Sequence, residues 1–274
     1  MSKQVVSRRV TVPDIRALKG RQKVVCLTAY TAPVAALLDP HCDLLLVGDS
    51  LGMVVHGLPT PTAVTLEMMI LHGQAVVRGA SHALIVVDLP FGTFEGSPEQ
   101  AFASAVRVMK ETGCQAVKIE AGEGLASTME FLVQRGVPVM GHVGLRPQAV
   151  HIDGGFKAKG RNDDERGRVM AEAKAAEAAG CFAIVLEGVS EALAAEITAT
   201  VQVPTIGIGA SPKCDGQILV TDDMLGVFEW TPRFVRRYAD LRTTVSEAVA
   251  HYAADVRSVA FPGDAEVYRF KSNV

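Results

Sequence analysis

Short aliphatic runs that end in a carboxylate recur along this chain and limit what it can fold into. Leu44-Leu45-Leu46-Val47 runs into Gly48-Asp49, Ala83-Leu84-Ile85-Val86-Val87 ends in Asp88, Ala116-Val117-Lys118-Ile119 ends in Glu120, and Ala183-Ile184-Val185-Leu186 ends in Glu187. Runs of this length, apolar at consecutive positions, fit strands covered on both faces, as in a parallel sheet wrapped by helices. Each acid then falls where a strand gives way to a loop. Parallel strands closed into a barrel gather such ends at one rim, the face on which barrel enzymes place their chemistry.

The segments between these runs supply the helices that such a barrel needs. Helical stretches are expected over 30–38, from the cap Thr65 to Gly79, and after the capping sequence Ser97-Pro98-Glu99-Gln100 with Phe102, Val106 and Met109 as its buried stripe. Others run through 129–133, from Asn162 to Gly180 and over 190–200. Further strands at 24–27, 137–142, 204–209 and 216–220 bring the count to eight. The chain therefore reads as one (β/α)8 TIM barrel domain over 1–274. A short N-terminal helix opened by Thr11-Val12-Pro13-Asp14 covers the bottom, and closing helices lie beyond Thr231-Pro232, through Phe234, Tyr238, Leu241, Val245, Val249 and Tyr252. The link between the last two strands is too short for an ordinary helix, so that corner is the weakest part of the assignment.

Composition supports a single aliphatic core. The 274 residues suit one barrel of about 250 residues, no Ser/Gly- or Pro-rich linker divides them, and 49% apolar against 5% aromatic residues points to aliphatic packing. A net charge of -3 without a basic run argues against nucleic acid and for a small-molecule partner. No apolar stretch approaches about 18 residues, and Met1-Ser2-Lys3-Gln4-Val5 lacks the order of a signal peptide, so a cytoplasmic protein with no membrane contact is expected. Cys26, Cys42, Cys114, Cys181 and Cys214 are odd in number and contain no Cys-x-x-Cys pair, which favours reduced thiols over disulfides or a zinc site.

Several carboxylates at one rim repel each other unless a cation joins them, and oxygen donors without a Cys/His set suit Mg²⁺. Asp49, Asp88 and Glu120 are the candidate metal ligands. A substrate with adjacent carboxylate and keto oxygens would chelate such an ion, which would stabilise enolate charge. Glu187 is a candidate base, provided that its surroundings raise its pKa. Lys118 lies two residues before Glu120 on the same strand face; it either holds the negative oxygens of a substrate or pairs with Glu120. His142, at the end of the fifth strand, either hydrogen-bonds a reacting oxygen or is structural. The glycine-hinged segment through Lys157, Lys159 and Arg161 is a mobile lid drawn to an acidic ligand or a solvated loop. Gly207-Ile208-Gly209-Ala210 is no dinucleotide fingerprint, because Pro212 stands where the third glycine belongs.

At these residues the chain resembles the ketopantoate hydroxymethyltransferase family. The match runs through Leu27-Thr28-Ala29-Tyr30, Val47-Gly48-Asp49-Ser50-Leu51-Gly52-Met53, Asp88-Leu89-Pro90-Phe91, Val117-Lys118-Ile119-Glu120, Gly141-His142-Val143-Gly144-Leu145, Leu186-Glu187 and Asp215-Gly216-Gln217-Ile218-Leu219-Val220. The resemblance implies a barrel of the phosphoenolpyruvate/pyruvate superfamily, usually a homodecamer. It also implies transfer of a hydroxymethyl group from 5,10-methylenetetrahydrofolate to 3-methyl-2-oxobutanoate, giving 2-dehydropantoate in pantothenate biosynthesis. Asp49, Asp88 and Glu120 correspond to metal-site residues, with Asp49, Ser50, Asp88 and Lys118 contacting the ketoacid and Glu187 accepting the proton. Two departures from the family pattern, Ala121 and Ser211, stand where glycine is common. A magnesium-dependent lyase or mutase of the same superfamily, acting without folate, is the alternative.

Overall fold

The structure, a computed structural model, describes residues 8–122 and 124–269. The backbone divides into two compact units, Met1–Thr221 and Asp222–Val274. In the first, eight strands form a closed parallel barrel in sequence order: β1 (Val24–Thr28), β2 (Leu44–Val47), β3 (Leu84–Asp88), β4 (Ala116–Glu120), β5 (Val139–Gly144), β6 (Ala183–Glu187), β7 (Thr205–Ile208) and β8 (Gly216–Leu219). The helices, in chain order, are α1 (Val12–Ala17), α2 (Ala32–Leu38), α3 (Leu51–Val54), α4 (Leu66–Gly79), α5 (Pro98–Thr112), α6 (Ala126–Gln134), α7 (Val150–Asp153), α8 (Asp163–Ala178), α9 (Glu191–Thr200), α10 (Thr221–Met224) and α11 (Leu241–Arg257).

Strand periodicity sorts the side chains. Leu44 and Leu46, Leu84 and Val86, and Ala183 and Val185 belong to one buried cluster inside the barrel, whereas Leu45, Ile85, Ile184 and Leu186 join a larger cluster with helix residues such as Met69, Leu132 and Ile197. Each large aliphatic side chain removed from water in this way contributes about 1.5–3 kcal/mol. The same parity turns the polar residues at the strand ends inward: Asp88 follows Val86 by two positions, and Glu187 follows Val185. Ile15 of α1 joins the interior cluster. The N-terminus of α1 is fixed by a Thr11/Asp14 capping box, and Arg9 Nη1 donates to the Ala83 carbonyl at 2.8 Å.

Two local expectations, in β5 and α5, are corrected, and the short β7–β8 link is helix-free as expected. Strand β5 begins at Val139 and runs on to Gly144, because Pro138 has no N–H to give to the ladder; His142 therefore lies within the strand and points into the barrel. In α5 the fully buried residues are Ala101, Ser104, Ala105, Val108 and Thr112. These small side chains let the helix approach the strands, and Phe102 instead meets Phe131 of α6 edge-on at 6.4 Å. The return from β7 to β8 dispenses with a helix: residues 209–215 can reach about 23 Å when extended, more than a four-residue strand spans. Asp215 secures that return. Its Oδ2 accepts from Thr205 N at 2.9 Å and from Lys19 Nζ at 2.7 Å, and β8 pairs with both β1 and β7.

Within the second unit, Asp240 caps α11 by accepting from Thr243 N at 3.2 Å. Phe234 and Tyr238 precede this helix rather than lying in it, and none of its residues is buried. Val245, Val249, Tyr252 and Val256 recur at helical spacing and are all exposed. The five cysteines are buried and free. Among the described residues no helix is long and apolar enough to cross a membrane.

Candidate active site

One cavity opens at the C-terminal end of the barrel, lined by Asp49, Ser50, Asp88, Lys118, Glu120, His142 and Glu187, with Leu46, Val185, Ile208 and Ile218 as apolar wall. All the site residues singled out from the sequence meet there. Register explains the grouping: Asp88 lies beside Lys118 across β3 and β4, Glu120 beside His142 across β4 and β5, and Glu187 beside Gly144 across β5 and β6.

Lys118 is the cationic centre. Its Nζ lies 3.2 Å from Asp88 Oδ1 and 3.2 Å from His142 Nδ1. Of the two alternatives for Lys118, pairing with Glu120 is not observed; the lysine pairs with Asp88, its lateral neighbour, while Glu120 sits two residues nearer the rim and receives Gln148 N–H at 3.3 and 3.2 Å. Burial by itself would depress the Lys118 pKa, but Asp88, Asp49 and Glu120 together hold it above the ordinary lysine value. An ammonium only donates, so His142 Nδ1 accepts and the proton of the neutral ring is on Nε2, 3.2 Å from Glu187 Oε2. That contact is poorly aligned for a hydrogen bond. Burial, helped by Lys118, keeps the His142 pKa below its usual value.

The carboxylates are set from different elements. Asp49 lies just beyond β2; its N–H donates to Asp88 Oδ2 at 3.0 Å, and its own Oδ2 accepts from Gln148 Nε2 at 2.8 Å. Gly48 leaves room for Ser50, since a Cβ there would stand 2.8 Å from Ser50 Oγ. Ser50 Oγ in turn bonds Tyr30 OH at 2.9 Å. Gly144 does the same for Glu187: its φ is +98°, and a Cβ would stand 2.4 Å from the Glu187 carbonyl oxygen. Burial pushes the Asp88 carboxyl up to about 7 in spite of Lys118. Burial also raises Asp49, against the pull of Lys118, and raises Glu120, where the charge of Asp49 adds to the effect.

A family model described as ketopantoate hydroxymethyltransferase matches residues 9–264. The chain belongs to the ketopantoate hydroxymethyltransferase family. Curated relatives named 3-methyl-2-oxobutanoate hydroxymethyltransferase include those of Hyphomonas neptunium, 67% identical over 99% of this chain and 98% of the relative, and Caulobacter vibrioides, 64% identical over 96% of each. The relative from Brucella suis is 58% identical over 99% of each chain. Solved structures with the same fold include a phosphonopyruvate hydrolase in complex with oxalate and Mg²⁺ (TM-score 0.60, 13% identical, 95% of this chain and 93% of that one). Another is 2,3-dimethylmalate lyase of the PEP mutase/isocitrate lyase superfamily (TM-score 0.58, 14% identical, 94% and 91%). This ketopantoate hydroxymethyltransferase family member is accordingly a transferase on a TIM barrel.

Two residues of this transferase site escaped sequence reading. Gln148 lies in irregular chain after β5, where no periodicity marks it, and Tyr30 reads as a helix residue although the helix begins at Ala32 behind the cap Thr31. The segment read as either a lid or a solvated loop is partly anchored: Lys159 N donates to Gly188 O at 2.8 Å, and Lys159 Nζ pairs with Asp153 at 2.8 Å. Lys157 and Arg161 are exposed. Of the departures from the family pattern, Ala121 is buried and donates its N–H to the His142 carbonyl at 2.7 Å. Ser211 Oγ donates to Glu191 Oε1 at 2.8 Å and accepts from Lys213 N at 3.1 Å, so it fixes the turn it occupies.

Asp49, Asp88 and Glu120 are buried oxygen donors, and with Glu187 they oppose the single ammonium of Lys118, an excess of negative charge that a divalent ion would offset. Asp88 Oδ1 has no hydrogen bond. Among the described residues no three His, Cys, Asp or Glu side chains already stand as a ligating group, since these carboxylates face Lys118, Gln148 and backbone N–H donors. Donor chemistry and charge fit a divalent cation.

Proposed function

We propose that this chain transfers a hydroxymethyl group from 5,10-methylenetetrahydrofolate to 3-methyl-2-oxobutanoate, forming 2-dehydropantoate and tetrahydrofolate, with Asp49, Asp88 and Glu120 holding Mg²⁺. The observation that carries this reading is the gathering of four carboxylates, one lysine and one histidine at one barrel mouth in a chain of this family. When bound, Mg²⁺ supplies Lewis-acid stabilisation of negative charge on the ketoacid oxygens.

The chain's own residues do the rest. Lys118 Nζ and the Ser50 hydroxyl bind and orient the ketoacid. Water breaks the two N–CH2 bonds of the folate, the nitrogens keeping the electron pairs and tetrahydrofolate leaving, so that the one-carbon unit is at the level of formaldehyde. Glu187 takes the proton from C3, the freed electron pair adds to that carbon as its C=O π bond opens, and the new alkoxide takes the proton back as the hydroxyl. His142 stands between Lys118 and Glu187 and, by accepting from Lys118 at Nδ1, orients the lysine rather than transferring a proton itself. The aliphatic wall of Leu46, Val185, Ile208 and Ile218 excludes water from the carbanion. With Lys159 engaged by Asp153, Lys157 and Arg161 remain to attract the acidic tail of the folate.

Cytoplasmic location and a homo-oligomer, a decamer by family resemblance, belong to the same reading; the exposed stripe of Val245, Val249, Tyr252 and Val256 supports assembly. Sedimentation velocity tests the oligomer. Proton NMR of 3-methyl-2-oxobutanoate in D₂O tests the chemistry. Mg²⁺-dependent loss of the C3 proton signal, then 2-dehydropantoate on addition of the folate, is expected. Product formation without folate would favour the lyase or mutase alternative, and absence of exchange would reject the reading.

A further inference from the structure

Gln148 makes more contacts with the carboxylate set than any sequence signal assigns to it. It sits on the 3-10 turn Pro147–Ala149 after β5 and is 6% exposed. Its Nε2 donates to Asp49 Oδ2 at 2.8 Å and to the Leu89 carbonyl at 3.0 Å, so both amide hydrogens are engaged. Its backbone N–H faces both oxygens of Glu120. One residue from the β5 loop thereby fastens chain at the ends of β2, β3 and β4.

We infer that Gln148 is the positioning residue of this site, holding Asp49 and Glu120 at the barrel mouth beside the cavity that a divalent cation would enter. The inference rests on the magnesium reading above and adds the group on which the geometry of the ligands depends. Asp49 lies beyond the end of its strand, so the β ladder does not fix it, and neighbouring carboxylates push it away. A neutral amide restrains it without cancelling its charge, whereas an arginine would neutralise the carboxylate and compete with the cation. The amide is also fixed in sense. Flipping it would set Oε1 against Asp49 Oδ2 and the Leu89 carbonyl, two acceptors, and in the observed sense Oε1 has no partner.

The test compares the full-length protein with Gln148→Met, which keeps side-chain length and the backbone N–H but removes both amide hydrogens. Mn²⁺ binding is followed by electron paramagnetic resonance, melting temperature is recorded in parallel, and metal-free crystal structures give the Asp49 rotamer. Mn²⁺ affinity is expected to fall about 10–100-fold in Gln148→Met, the range for lost partners of metal ligands. Asp49 should leave its wild-type rotamer, and the protein should remain folded. Gln148→Ala serves the same comparison should the methionine variant not fold. Wild-type Mn²⁺ affinity with Asp49 unmoved would overturn the inference. If the wild-type protein bound neither Mn²⁺ nor Mg²⁺, the magnesium reading would fail on its own, while an unmoved Asp49 rotamer would still reject the clamp.

Discussion

Asp88 Oδ1 and Lys118 Nζ meet at 3.2 Å because the β3–β4 register sets the two residues side by side. Removing the ammonium leaves buried carboxylates facing each other. Lys118→Met should therefore cost about 3 kcal/mol in the metal-free protein, the lower end of the range for a broken buried pair, because Asp88 with a pKa of about 7 can take up a proton. Urea denaturation should recover part of that loss when Mg²⁺ is added. The ratio kcat/KM should fall by about 10²–10³, as when one charge-stabilising donor is removed.

Replacing Glu187 separates proton transfer from metal binding. Glu187→Gln keeps the shape of the side chain and loses the base, so exchange of the C3 proton should slow by about 10²–10⁴. Mg²⁺ affinity, measured by calorimetry, should stay at the wild-type level. Undiminished exchange would remove Glu187 from its role.

Gly144 offers a steric route to the same base. An alanine there would adopt φ +98° and press its Cβ within 2.4 Å of the Glu187 carbonyl oxygen. The strain should cost about 1–3 kcal/mol in unfolding free energy. Displacing Glu187 by about 1 Å should lower the exchange rate by about 10² even where the variant is fully folded.

Asp39 provides a pH test far from the chemistry. Its carboxylate accepts from Ser81 N at 2.8 Å, His82 N at 2.9 Å and Ala83 N at 2.8 Å. Burial acts to raise its pKa, but these backbone donors together hold it below the ordinary 3.8. On acidification the unfolded chain takes up the proton first. The stabilisation is therefore complete above 3.8 and disappears as pH falls through the lower folded value. Urea midpoints of wild type and Asp39→Asn should differ by a constant amount near pH 6 and converge as pH falls toward about 2.5, and a gap that widened on acidification would contradict this.

Asp88, Glu120 and Glu187 were legible in the sequence because a two-residue period carries orientation: once Leu84 and Val86 face inward, so does Asp88, whereas Asp49, out of step with Leu44 and Leu46, was marked only by its place after the strand. Lys118 and Glu187 obey the same rule. Its partner choice did not follow from one strand, since whether Lys118 meets Glu120 or Asp88 depends on the register of β3 against β4, which no local pattern encodes. Gln148 was invisible for a related reason. Its contacts reach residues 28, 59 and 99 positions away in the chain, and its own loop has no period. The β7–β8 corner looked doubtful because parallel strands usually return through a helix; here Asp215 and the Ser211 turn hold an extended return in place.

That return leaves one strand of the barrel with an uncovered outer side: Gln217 of β8 is exposed, and Val25 on neighbouring β1 is 47% exposed. In an open sheet, a bare strand of this kind would offer unpaired N–H and C=O groups to other chains and seed aggregation. Here β8 is bonded on both sides, to β1 and β7. Closure of the barrel leaves β8 without a free edge, so this stretch can meet solvent with its side chains while giving a foreign strand nothing to pair with.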